Sequence, residues 1–101
     1  MTITADFDIE TERATIRVDD ILNFDRVMEF RAAYEQQPWQ QAAITVDLRE
    51  CPHLDSAALG VLLLMKSQLG KADGEITLLV GNSEVAGLLA AVHFEKKFTI
   101  E

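Results

Sequence analysis

Cysteine occurs once in this 101-residue chain, at Cys51, so no internal disulfide can form and the fold must rest on its core. A lone thiol also suits a reducing compartment. Proline occurs twice, at Pro38 and Pro52, and each is read as closing a regular element. Basic residues are scarce: 9 Lys and Arg stand against 17 Asp and Glu, for a formal net charge of -8. Nucleic acid and anionic membrane both select basic faces, so neither is expected as a partner; the balance is compatible with a protein partner that offers Arg or Lys. The acidic residues are scattered rather than blocked, and most of them read as a solvated surface. Long apolar runs are missing too. The stretch 57–65 holds nine residues, against the ~20 that a membrane span needs. The opening Met1-Thr2-Ile3-Thr4-Ala5-Asp6 lacks the basic and apolar parts of a signal peptide. There is no Gly-rich phosphate loop, and Cys51-Pro52-His53 offers two metal ligands without a second cluster. These absences predict a soluble, cytoplasmic domain with no metal and no cofactor.

What the chain does have is a 49% hydrophobic composition, enough for one core and one domain over residues 1–101. Its centre is a polar pair, Asp55-Ser56, opening into the apolar run that ends at Lys66. Upstream, Ile44-Thr45-Val46-Asp47-Leu48 reads as a strand closed by Arg49-Glu50. The order expected is strand, short loop, then a buried helix whose first turn carries Asp55 and Ser56. Leu59, Leu62, Leu63 and Leu69 are expected to face the sheet, with Val61, Leu64 and Met65 widening the apolar arc.

Around this centre, residues 3–9 and 14–18 alternate apolar and polar as half-buried strands do, with Glu10-Thr11-Glu12 as the turn of a hairpin. Phe24, Val27, Met28, Phe30 or Arg31, and Tyr34 follow a helical period, capped by Asn23 and stopped at Gln36-Gln37-Pro38-Trp39. Trp39 is expected to close a core edge. Gly70 ends the central helix, and Asp73-Gly74 makes a turn. Ile76-Thr77-Leu78-Leu79-Val80 is apolar enough to predict a central strand buried on both faces. A third helix is expected with Ser83 as its cap and Val85, Leu88, Leu89 and Val92 on one face, followed by a turn anchored by Phe94 and Phe98 and a short edge strand. The result is an α/β domain: a mixed sheet of four to five strands with helices packed on it through right-handed crossovers.

Catalysis finds little support. Ser56 has no Gly-x-Ser-x-Gly elbow around it, and His53 lies three residues away across a proline-containing loop, poor geometry for a triad. Asp55 next to Ser56 resembles a helix cap more than a base. For the pair itself two readings stand: plain capping, or a serine whose hydroxyl is free for modification, since no Glu or Gln follows at the capping-box position to engage it.

Leu54-Asp55-Ser56-Ala57-Ala58-Leu59-Gly60-Val61-Leu62, preceded by Val46-Asp47-Leu48, resembles the signature of the sulfate transporter and anti-sigma factor antagonist (STAS) domain. The element order agrees over most of the chain, and Leu22-Asn23-Phe24-Asp25 corresponds to the family's loop before its first helix. The resemblance implies an anti-anti-sigma factor that is not an enzyme. Ser56, by position, is the serine that a kinase anti-sigma factor phosphorylates and a protein phosphatase restores. The unphosphorylated form binds the anti-sigma factor, and the phosphorylated form releases it. Asn23, Asp55, Ser56, Ala57, Leu59 and Gly60 would form the partner-binding surface, with a monomer as the expected state. The nearest likeness is to short proteobacterial members tied to motility and biofilm switches. Two departures stand out: Ala57 replaces a frequent second hydroxyl, and Asp19-Asp20 and Asn23 replace the usual loop Gly and Asp. The alternative is a STAS accessory subunit docked on the ATPase of a lipid-transporting ABC system, with no phosphorylation switch.

Overall fold

The computed structural model describes residues 3–35 and 37–101. Two alternating segments form the hairpin β1 (Ile3–Asp8) and β2 (Arg13–Val18). Its turn is held by the Asp8 carboxylate, which accepts from the Glu10 and Thr11 amides, and by Glu12 in the left-handed region at φ 53°. A 3-10 turn, Phe24–Arg26, leads into α1 (Val27–Tyr34). Then follow β3 (Ala43–Leu48), α2 (Ser56–Gln68), β4 (Ile76–Val80), α3 (Ser83–Ala91), a 3-10 turn Phe94–Lys96 and the short β5 (Thr99–Ile100). The five strands lie in the order β1-β2-β3-β4-β5, with β1 antiparallel and the other pairings parallel, which is the mixed sheet expected from the pattern. Gly70, at φ 65°, ends α2, and Gly74, at φ 85°, makes the next turn.

Strand order explains the layering. Each crossover from β2 to β5 steps to the next strand in the same direction, and right-handed crossovers that never reverse put every helix on one face. The core fills that side, with Ile16, Val46 and Leu78 from the sheet against Phe30, Leu62 and Leu89 from the helices, all at 0% exposure. The other face is bare and polar. Arg13, Thr15, Arg17, Thr45, Thr77 and Leu79 line an open groove there. The expectation that β4 is buried on both faces is therefore corrected: Ile76 and Leu78 are buried, while Thr77 and Leu79 are only half-covered.

Four further local expectations change. α2 turns Ala58, Val61, Leu62, Met65 and Leu69 inward, while Leu63 and Leu64 are exposed at 39% and 38%. The stripe 58-61-62-65-69 keeps helical spacing; the stripe built on Leu59 and Leu63 leaves out Val61 and Met65, which are buried. α3 is capped by Asn82, whose Oδ1 accepts the Val85 amide at 2.8 Å, and Ser83 is its first helical residue. Val92, expected on the buried face of α3, is 42% exposed. The helix expected from Phe24 divides: Asn23 caps the 3-10 turn through the Asp25 amide, and only Phe30 and Tyr34 of α1 are fully buried. Gln36 of the predicted stop, and Met1 and Thr2 of the N-terminal stretch, lie outside the described residues. Trp39 is 3% exposed and sits within the core.

Candidate functional site

The loops after β2 and β3 meet at the start of α2. Leu22 and Leu54, both buried, form an isolated parallel bridge; the Leu22 amide donates to the His53 carbonyl at 3.2 Å, and the Asp55 amide to the Leu22 carbonyl at 3.4 Å. Below the bridge Cys51 is sealed in, its Sγ donating to the His53 carbonyl at 3.3 Å, and burial pushes its thiol upward. A thiol in that state is a poor nucleophile and a poor metal ligand. Gly81 completes the junction: a Cβ there would collide with the Arg49 backbone, so only glycine lets the β4–α3 loop lie against the β3–α2 loop.

Asp55 is the N-cap of α2, in extended conformation at φ -102°, ψ -177°. Its Oδ1 accepts the Ala58 amide at 2.9 Å, and its Oδ2 accepts the Phe24 amide at 2.9 Å. The Ala58 and Phe24 amides hold the carboxyl below the usual carboxylate range, so it is an anion at neutral pH. Capping, one of the two readings of Asp55-Ser56, thus belongs to Asp55 alone. That leaves Ser56 as the first helical residue, exposed, at the positive end of the helix dipole.

On α2, Gly60 lies one turn beyond Ser56 and is exposed; a Cβ there would meet nothing within 4 Å, so internal packing does not demand the glycine. Leu59 and Ala57 are half-buried, and Leu63 continues the outward face. Asn23 is half-buried on the adjoining loop. The structure therefore brings the six residues proposed from sequence, Asn23, Asp55, Ser56, Ala57, Leu59 and Gly60, to one corner of the domain. It adds Phe24, which the sequence pattern assigned to a buried face and which is 76% exposed; Met28, assigned to the same face, is 69% exposed one turn further along. The bond from the Phe24 amide to the Asp55 carboxylate holds the Phe24 backbone against the residue that precedes Ser56.

The hydrolase arrangement is not formed. The His53 ring contact is to Glu84, Nδ1 to Oε2 at 3.3 Å, across to the start of α3. Three recesses of the surface lie elsewhere. One of about 300 Å³ sits between Tyr34 and Gln68, and two of about 440 and 350 Å³ lie along the bare sheet face around Arg17 and Asp47; Ser56 lines none of them. Among the described residues no three of His, Cys, Asp and Glu gather as a metal site, and no helix is long and apolar enough to cross a membrane. Around this end of α2 stand exposed apolar side chains, Phe24 and Leu63, of the kind that a docking surface presents.

The family model described as Mlab, STAS domain matches residues 5–100. A STAS-domain containing protein of Pseudomonas aeruginosa is 36% identical over 100 residues, covering 99% of both chains. Two solved structures share the fold. A Thermotoga maritima protein described as a candidate anti-sigma factor antagonist superposes with a TM-score of 0.78 at 15% identity, covering 97% of this chain and 84% of its own. The anti-sigma factor antagonist SpoIIAA in its unphosphorylated form gives 0.70 at 15% identity, covering 99% and 87%.

Proposed function

The chain belongs to the STAS domain family, and from that premise we propose that it is an anti-sigma factor antagonist that switches partners through phosphorylation of Ser56. In this reading the unphosphorylated corner around Ser56, with Phe24, Met28, Leu59 and Leu63 as its apolar contacts, docks an anti-sigma factor that is also the serine kinase. A protein phosphatase restores the docking form, in the cytoplasm, and the outputs are motility and biofilm genes. The observation that carries the reading is the division of labour at the helix start. Asp55 does the capping, and Ser56 is left exposed at a helix N-terminus beside a 76% exposed phenylalanine.

The energetics suit a switch. A phosphoserine carries roughly -1.5 to -2 charge, which the α2 dipole accommodates, so the fold survives the modification. The same charge beside the Asp55 anion, on a domain already at -8, opposes any partner surface that docks closely there without a basic group. Losing a buried contact and adding repulsion weakens binding by ~2–5 kcal/mol, enough to exchange partners. Ser56→Ala is expected to stay folded and to bind the anti-sigma partner, but to accept no phosphate. Ser56→Asp is expected to stay folded and to bind poorly, and binding as tight as wild type would overturn the electrostatic account. Intact mass of the protein from its native cell, before and after phosphatase, tests the phosphate itself. A protein that never carries phosphate would favour the second reading, the constitutive docking subunit of an ABC system.

A further inference from the structure

The Asp55 carboxylate holds two elements with one planar group. One oxygen is fixed by the Ala58 amide inside α2, the other by the Phe24 amide in the loop entering α1, each at 2.9 Å. Among the described residues no other acceptor is found for the Phe24 amide, and the ring of Phe24 has little packing to hold it, being 76% exposed. The Leu22–Leu54 bridge anchors the loop two residues earlier, so beyond Leu22 the pose of Phe24 depends on Asp55 and on the Asn23 cap of its own turn.

We propose that Asp55 is a positioning residue through which the charge on Ser56 sets the pose of Phe24, so that modification withdraws an apolar contact as well as adding repulsion. The inference rests on the reading of Ser56 as the modified residue and names how that site is regulated. The first amides of a helix have no intrahelical acceptor. A phosphate on the first helical residue is a stronger anion than a carboxylate and competes for those amides, Ala58 among them. Its charge also lies next to the Asp55 anion and disfavours their sharing one helix end. A carboxylate gripped at both oxygens cannot give up one bond without turning its plane, so displacement from Ala58 also takes the acceptor away from Phe24. The loop beyond Leu22 is then released.

Amide NMR of the whole chain tests this in three states: unmodified, with phosphoserine installed at position 56 by orthogonal translation, and as Asp55→Asn. Asparagine keeps one oxygen for the Ala58 amide and remains a good cap, but turns an NH2 toward the Phe24 amide, donor against donor. In the phosphoserine protein and in Asp55→Asn the Phe24 amide is expected to exchange about tenfold faster, the loss of one charge-assisted hydrogen bond, with its proton signal moving upfield. In Asp55→Asn the Ala58 amide should remain protected, which a general loosening of the helix start would not allow. A Phe24 amide unmoved by phosphoserine overturns the coupling, as does one unmoved in Asp55→Asn. The Asp55→Asn arm contains no phosphate, so it reads the coupling even if native protein proves never to be phosphorylated, an outcome that would instead end the functional reading.

Discussion

Asp47 shows what a single charge does in a fold this small. It projects from β3 onto the bare sheet face, yet it is only 4% exposed, because two arginines lie over it. Arg49 grips both carboxylate oxygens, Nε to Oδ1 at 3.0 Å and a terminal nitrogen to Oδ2 at 2.8 Å, and Arg17 Nε approaches Oδ2 at 3.4 Å. The Arg49 hydrogen bond holds the Asp47 carboxyl down at about 2, against an ordinary 3.8, despite the opposing effect of burial. A carboxyl depressed in the folded state contributes stability above its unfolded pKa and loses it as pH falls through the folded value. The shift corresponds to roughly 2 kcal/mol, trimmed by solvent screening because both guanidiniums are more than half exposed. Asp47→Asn should therefore lower stability at pH 7 by ~1–2 kcal/mol and flatten the acid limb between about pH 4 and pH 2. Urea unfolding across that range measures both, and an unchanged acid limb would show that the pair contributes nothing. At this same scale the sequence misled most about Phe24 and Met28. With 100° per residue, Met28 lies roughly 130° from the centre of the stripe Val27-Phe30-Tyr34. The signal for exposure was thus present, but hydrophobicity alone placed both residues in the core.

At the scale of elements, ends proved harder to read than existence. Every strand and helix expected from periodicity is found, because a half-buried element must repeat its apolar face and the repeat is visible in the chain. A cap depends instead on which residue leaves the helical backbone, and Asn82-Ser83 presents two good candidates side by side. The structure selects Asn82, at φ -145°, ψ 160°, because Gly81 brings the loop against Arg49 and so lets the Asn82 side chain also donate to the Cys51 carbonyl at 3.4 Å. Asn82→Ala should cost ~1–2 kcal/mol, one cap and one tie between the two loops, whereas Ser83→Ala should change stability by less than about 0.5 kcal/mol. Equal losses in chemical denaturation would reassign the cap. The same comparison separates Asp55 from Ser56 at α2, where the sequence left capping and modification open and the geometry gives the cap to Asp55.

The whole molecule is governed by the direction of its crossovers. Leu78 and Leu79 are neighbours of identical chemistry in an apolar run, and nothing in the run tells which faces helices and which faces water; the run predicted burial for both. That information lies in strand order, which arises only when the whole sheet assembles and sends all three helices to one side. Thr15, Thr45 and Thr77 stand in one register line across the bare face, the polar side that a one-sided sheet requires. The same substitution at the two leucines should therefore have unlike effects. Leu78→Thr removes apolar volume from a site at 0% exposure and leaves a hydroxyl without a partner, for a loss of ~3 kcal/mol or more. Leu79→Thr puts a β-branched side chain, well suited to a strand, on a half-solvated face and should cost ~1 kcal/mol or less. Neither residue lies at the Ser56 corner, so Leu79→Thr should also leave partner binding unchanged. Comparable destabilisation of the two variants in thermal or urea unfolding would mean that something covers the second face of the sheet, and the one-sided layering that leaves the helix side to carry the docking surface would have to be abandoned.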